Sequence, residues 1–259
     1  QTTDAPRYNY RGHDICFRDE FNEEYSRDIE PMKGGYKDAY YMQLISFVRR
    51  FKGMEAPTVD TVLSTIKNID RFTEWDTAGI AYRKYIGGCK PRDHRAYDAI
   101  GKYTNYTGRN EFHISKVASD DQYIYFYAEC VNKITAANGD NWMNLYIRNP
   151  KLTGPSWEGY HFIINRSRSS KLTAVERCAK NGEYSWDGIG EVEYSVKNNK
   201  INVKIPKMLL GISSEDFSIE FKWSDNMQDR DVMDFYVNGD CAPMGRLNYT
   251  YYFKKSAEA

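Results

Sequence analysis

Polar and apolar residues alternate with period two through residues 191–206, EVEYSVKNNKINVKIP. Val192, Tyr194 and Val196 share one face, with Glu191, Glu193 and Ser195 on the other. Ile201, Val203 and Ile205 alternate with Asn202 and Lys204 in the same way. A two-residue turn at Asn198-Asn199 sets Val196 opposite Ile201, Tyr194 opposite Val203 and Val192 opposite Ile205. It also places Glu193 across from Lys204. Apolar residues then meet apolar ones and the charged pair attracts, so the pattern predicts a β-hairpin.

The same period predicts strands at 111–117 and 122–131, separated by Ser119-Asp120-Asp121, and at 143–148, 160–165, 217–223, 232–237 and 247–253. In QYIYFYAECV (122–131) both faces are apolar or aromatic, as in a strand buried on both sides. Short strands joined by turns, with almost no helical period, point to an all-β fold: a two-sheet antiparallel β-sandwich, jelly-roll-like. The first sixty residues differ. Residues 36–54 place Tyr40, Tyr41, Leu44, Ile45 and Val48 on one helical face. Arg49, Arg50 and Lys52 suit the negative helix end, and Gly53 suits its cap. Pro57 marks a boundary. The expected division is an N-terminal extension with an amphipathic helix, 1–57, and a sandwich, 58–259. The helix either packs on the sandwich or links it to a preceding domain.

Composition narrows the function. Lys plus Arg and Asp plus Glu balance at 36 each, which argues against generic binding to nucleic acid or to a membrane surface. No apolar run reaches the length of a membrane span. The chain is 41% hydrophobic, enough for a core, and 15% aromatic, with 22 tyrosines. Tyrosine favours strands and also suits surfaces that bind polar, flat-faced ligands. The five cysteines are widely spaced and contain no CxxC, which excludes a zinc ribbon or a thioredoxin motif. Sequons occur at Asn105, Asn165 and Asn248.

Catalytic signatures are absent: there is no GxSxG, P-loop, GxGxxG or HExxH. His13, His94, His113 and His161 are scattered, and only Asp93-His94 offers an acid–base neighbour pair. The stretch DNMQDRDVMDFYVNGD (225–240) reads as a solvated loop, then as a calcium site rich in oxygen ligands, then as a source of paired catalytic carboxylates. The aromatics remain. An indole laid flat covers the apolar face of a sugar, and neighbouring polar side chains take the hydroxyls. Trp142 has Asn141 and Asn144 beside it. Trp157 lies in the loop between two predicted strands, next to Glu158 and after Pro150, Gly154 and Pro155. Trp186 lies in GEYSWDGIG beside Asp187. Because Met143, Leu145 and Ile147 alternate on one strand face, Trp142 is expected on the other, and Trp157 is expected partly exposed beside a concave surface, near Trp142 or Trp186. Arg148, and Arg109 from the Tyr- and Arg-rich loop 82–110, complete the candidate carbohydrate-binding set. Trp75 reads as a structural plug and Trp223 as core.

The segments DRFTEWDTAGIAY, GRNEFHISKVASDDQYIYFYAECVNKIT, NWMNLYIRN…WEGYHFIINR, GEVEYSVKNNKINVKIPKMLLG and EFKWSDNMQDRDVMDFYVNGD resemble family 9 carbohydrate-binding modules of secreted bacterial glycan-utilisation proteins, over roughly residues 58–253. The resemblance implies a two-sheet β-sandwich that binds an oligo- or polysaccharide without cleaving it, in an extracytoplasmic setting. It also implies structural calcium and a pair of tryptophans that clasps a terminal sugar. Loop 82–110 departs from the family pattern. The competing expectation is a structural accessory domain of a larger glycoside hydrolase, without a ligand of its own, partnered with a preceding catalytic domain.

Overall fold

The computed structural model describes residues 9–10, 13–14, 58–95 and 102–255. The chain forms two compact units, Gln1–Ala56 and Pro57–Ala259. In the first, β1 (Asn9–Tyr10) pairs antiparallel with β2 (His13–Asp14). The helix expected over 36–54 lies outside the described residues.

The second unit is all-β. Its strands are β3 (Val59–Asp60), β4 (Ile80–Arg83), β5 (Arg92–Arg95), β6 (Lys102–Asn105), β7 (Phe112–Ser119), β8 (Tyr123–Cys130), β9 (Asn144–Arg148) and β10 (Phe162–Arg168), followed by β11 (Leu172–Cys178), β12 (Trp186–Lys197), β13 (Lys200–Pro206), β14 (Phe217–Asp225), β15 (Asp240–Ala242) and β16 (Tyr249–Phe253). β5 and β6 form a separate ribbon. The other strands join in one hydrogen-bonded path, β3-β16-β14-β9-β10-β11-β12-β13-β8-β7-β4, with β15 attached to β14. The path turns at β12. Residues 186–193 of that long strand pair with β11, and residues 194–197 pair with β13.

The two halves of the path bury their facing sides against each other, as in a sandwich. Phe112, Phe126, Ile201, Val203 and Ile205 from one half meet Leu145, Ile147, Phe162, Phe221 and Trp223 from the other in a single apolar core. Phe126 and Phe221 meet edge to face at 5.5 Å. At the open side the Tyr82 hydroxyl of β4 donates to the Thr250 carbonyl of β16, 2.9 Å. There too the buried Lys84 ammonium lies 2.7 Å from the Asp240 carboxylate. Trp223 is core and Trp75 is a plug, as expected. Trp75 sits in the 3-10 turn Phe72–Asp76 and, with Ile66 and Phe72, covers Tyr125 and Tyr127 on the outer side of β8.

The hairpin registers as the alternation predicts at Val196↔Ile201 and Tyr194↔Val203. Asn198 takes the left-handed backbone of the turn, φ 56°. Lys204 and Glu193 form an exposed ion pair, 3.6 Å. The third expected pair does not form: Val192 faces Thr173 instead, because β12 has by then passed to the other half. Residues 232–237 are not a strand. Asp234–Val237 is a short helix, entered through a turn in which the Asp231 carboxylate accepts the Met233 amide, 2.8 Å. Two of the three sequons fall on buried asparagines, Asn105 and Asn165.

Candidate functional site

Strands β14, β9, β10 and β11 present one face to the core. Their other face carries the row Lys222–Tyr146–Ile163–Glu176, set side by side by strand register. Three segments cover this outer face: the loop ahead of β10, the loop between β11 and β12, and the short helix. Together they build a second cluster of Tyr146, Trp157, Tyr160, Phe235, Met227, Val232, Cys178 and Cys241, with Tyr184 and Trp186 packed at its edge. Tyr146 is central, with ring centroids 5.6 Å from Trp157, 5.2 Å from Tyr160 and 5.5 Å from Phe235.

Trp157 owes its place to a two-residue turn. Glu158 (φ 50°) and Gly159 (φ 88°) both take left-handed backbone. Trp157 and Tyr160 exchange both backbone hydrogen bonds, 3.0 and 2.8 Å. This closes the tightest kind of hairpin connection and lays the two rings on one side, stacked at 6.0 Å.

At the edge of the cluster, aromatic and charged groups interleave. The half-buried Tyr184 hydroxyl meets that of Tyr146, 3.1 Å. The guanidinium groups of Arg166 and Arg230 lie 5.6 and 5.7 Å from the Tyr184 ring centre. Asp140 binds Arg230 at 3.0 Å and Arg166 at 3.5 Å. Arg166 also bonds the Glu176 carboxylate, 3.2 Å. Burial pushes the Glu176 carboxyl above its ordinary range, while Arg166 pulls it back. Burial likewise raises Tyr184. Two positive and two negative groups balance. Three polar atoms here are shielded from solvent and have no hydrogen-bond partner: Arg166 Nε, Glu176 Oε2 and the Trp186 indole N–H. Each such group costs about 1–3 kcal/mol if nothing meets it.

The residues singled out in the sequence are dispersed. Trp186 is half-buried at the edge of this cluster, 6.4 Å from Trp157. Trp157 itself is only 3% exposed, against the partial exposure expected, because the tight turn folds it inward. Trp142 is 2% exposed and belongs to the inner core, not to the outer face. The alternation argument fails there because Met143 has φ 48°, which breaks the strand period just before β9 begins. Its indole donates to the Thr135 carbonyl, 3.1 Å, and the Arg168 guanidinium sits 4.9 Å from its ring centre. The buried Asn144 side chain donates to the Asp140 carbonyl, 3.0 Å. Asn141 bonds the Met227 carbonyl, 2.8 Å. Arg148 is exposed and pairs with Glu220, 3.3 Å. Glu158 is exposed in its turn. Arg109 holds Asp225 with two charge-assisted bonds, 2.9 and 2.8 Å.

That last pair bears on calcium. Besides Arg109, Asp225 accepts from Asn110 and from the Met143 amide. Asp240 accepts from Lys84 and the Phe112 amide, and Asp234 from the Gln228 and Asp229 amides and from Asn238. These three carboxylates are filled by cations and N–H donors, whereas a calcium ion needs several free oxygens. No group of three or more His, Cys, Asp or Glu is placed to hold a metal among the described residues. Cys89, Cys130, Cys178 and Cys241 are free thiols.

Sequence reasoning missed Asp140, Arg166, Glu176, Tyr184 and Arg230. Tyr184 stands two residues before Trp186 in the loop already marked by that tryptophan. Arg166 and Glu176 meet only through the pairing of β10 with β11, a strand that the alternation did not reveal.

No protein-family model matches the chain, and no curated protein matches it. Among solved structures it is similar to a family 9 carbohydrate binding module from Caldicellulosiruptor kristjanssonii, determined in complex with glucose. The match covers 79% of this chain and 95% of that one, with 11% identity and a TM-score of 0.32. A likeness of this order says nothing of the ligand of this chain.

Proposed function

We propose that residues 58–255 form a non-catalytic carbohydrate-binding sandwich that works outside the cytoplasm in glycan utilisation. The observation that carries the reading is the edge of the outer face. There the half-buried Trp186 and Tyr184 adjoin a charge-balanced quartet, Asp140, Arg166, Glu176 and Arg230, of which Asp140 and Arg230 face solvent. A sugar hydroxyl both accepts and donates. Hydroxyls would donate to the exposed Asp140 carboxylate and accept from the exposed Arg230 guanidinium. The apolar face of the ring would lie on the indole. Trp157 serves this site from beneath, as support. Calcium has no part in the reading, since Asp225, Asp234 and Asp240 already accept from cations and N–H donors.

Titration of the protein with a glycan panel, followed by indole fluorescence, tests the proposal. A binding oligosaccharide should change the emission. Trp186→Ala should weaken that sugar by about 1–2 kcal/mol, the scale of one aromatic contact, and leave the melting temperature nearly unchanged. The burial of Trp142 and Trp157 favours a second reading, an accessory domain of a glycoside hydrolase that binds no sugar itself. A panel in which no glycan shifts the fluorescence would put that reading first.

A further inference from the structure

Three Asn-Gly dipeptides occur in the chain, at 138–139, 181–182 and 238–239. Asparagine before glycine is prone to self-modification, because the unshielded glycine amide nitrogen can reach the side-chain carbonyl. The structure treats the three differently. At 181–182 the Gly182 amide donates to the Ser156 carbonyl, 2.8 Å, and the Asn181 side chain accepts from the Ser156 amide, 3.3 Å. At 238–239 the Gly239 amide donates to the Thr107 hydroxyl, 2.7 Å. The Asn238 side chain bonds both Thr107 and Asp234 there. At 138–139 both residues are exposed, in an irregular stretch between β8 and β9. Neither the Gly139 amide nor the Asn138 side chain has a hydrogen-bond partner among the described residues.

We infer that Asn138 is a site of spontaneous deamidation, and that the change is read by the charge quartet two residues away. The Gly139 amide nitrogen gives its proton to hydroxide or water and attacks Asn138 Cγ. The bond from Cγ to the side-chain nitrogen breaks, and that nitrogen leaves as ammonia after taking up a proton. The resulting five-membered imide is opened by water. Opening at Cγ leaves an ordinary aspartate. Opening at the backbone carbonyl leaves an isoaspartate, whose chain now runs through Cβ. No oxidant or cofactor is needed. Either product puts a new carboxylate beside Asp140, which bridges Arg166 and Arg230. The isoaspartyl form also lengthens the backbone just before Gly139, whose carbonyl accepts from Arg168. The quartet with the new carboxylate carries a net negative charge.

Incubation of the intact protein at 37 °C and mildly alkaline pH, followed by peptide mapping, tests this. The expected result is conversion at Asn138, with both aspartyl and isoaspartyl peptides. Asn181 and Asn238 should react roughly tenfold or more slowly, since their hydrogen bonds must open first. An Asn138→Gln variant should lose the first acidic species on ion exchange and retain the melting temperature. An Asn138→Asp variant should reproduce its charge. Faster reaction at Asn181 or Asn238, or an unchanged acidic species in the Gln variant, would overturn the assignment.

Discussion

The two faces of the β14–β9–β10–β11 sheet are built from similar residues to different ends. The inner face is aliphatic and aromatic and seals against the opposite half. The outer face is aromatic too, but its covering comes from loops and a four-residue helix, and at one edge it holds charged side chains with unmet hydrogen-bonding atoms. Two sheet surfaces closing on each other can be satisfied wholly by dispersion and burial. A sheet surface closed by loops must accommodate their polar backbone and side chains, and its edge is where those groups meet water. On the function proposed above, the same tryptophan content serves stability on one side and a ligand surface on the other.

The sharpest way to break this contrast is to remove one indole from each face. Trp223→Ala empties the centre of the inner core and should destabilise the fold by about 4 kcal/mol, read from the denaturant midpoint. Trp157→Ala should cost less, about 3 kcal/mol, because loops collapse into a vacated space more readily than paired strands do. Equal losses would mean that the outer cluster is a second core. Next in size is Arg109→Ala, which leaves Asp225 buried without its guanidinium. About 3 kcal/mol is expected, lowered by the solvent that reaches the partly exposed arginine. If the variant melts with the wild type, the many N–H donors around Asp225 suffice alone.

The smallest effect concerns pH. Burial pushes the Asp240 carboxyl up to about 6, with Lys84 and the Phe112 amide opposing the shift. Below about pH 4 the group is protonated in both the native and the unfolded chain. Between about 4 and 6 the native protein keeps a proton that the unfolded chain has released, so this group lowers stability as the pH rises through that window. Hydrogen bonds hold Asp120 below its ordinary value against burial, which acts oppositely, and its stabilisation is lost as the pH falls through its native pKa. Burial holds the His161 imidazole below its ordinary value, which acts the opposite way, so the urea midpoint of the wild type is compared with that of Asp240→Asn, and the difference should decline gently from pH 4 to 6.5. A steady rise would show that Asp240 stays ionised throughout.

Much of the fold was legible because a strand with one buried face must alternate. Val196, Tyr194, Ile201 and Val203 announced their register before any coordinate did. What period two cannot show is where a strand changes partner, and so Val192 was matched to Ile205 when it belongs to Thr173. Nor can it survive a left-handed residue, and Met143 at φ 48° sent Trp142 into the core. The site was less legible still. Trp186 could be singled out as an indole in a Gly-rich loop. Arg166, Glu176, Asp140 and Arg230 come together only after four separate segments converge, and no local pattern encodes that meeting. Trp157 shows the converse: its place in a loop between two strands was visible, but the side on which the Glu158-Gly159 turn lays the ring is a tertiary fact.

The sharing of β12 between both halves of the hydrogen-bonded path has a consequence for how the molecule comes apart. Neither half can peel away while the other stays intact, since each would leave the amides of 186–197 stripped on one side. Partial openings that release a single layer are thereby suppressed, and the sandwich should melt as one cooperative unit. In native-state hydrogen exchange, the bonded amides on either side of Glu193-Tyr194 should share one protection free energy, equal to that of global unfolding. This strand is thus the molecule's common clasp, and its slowest amides are a direct gauge of the stability of the whole.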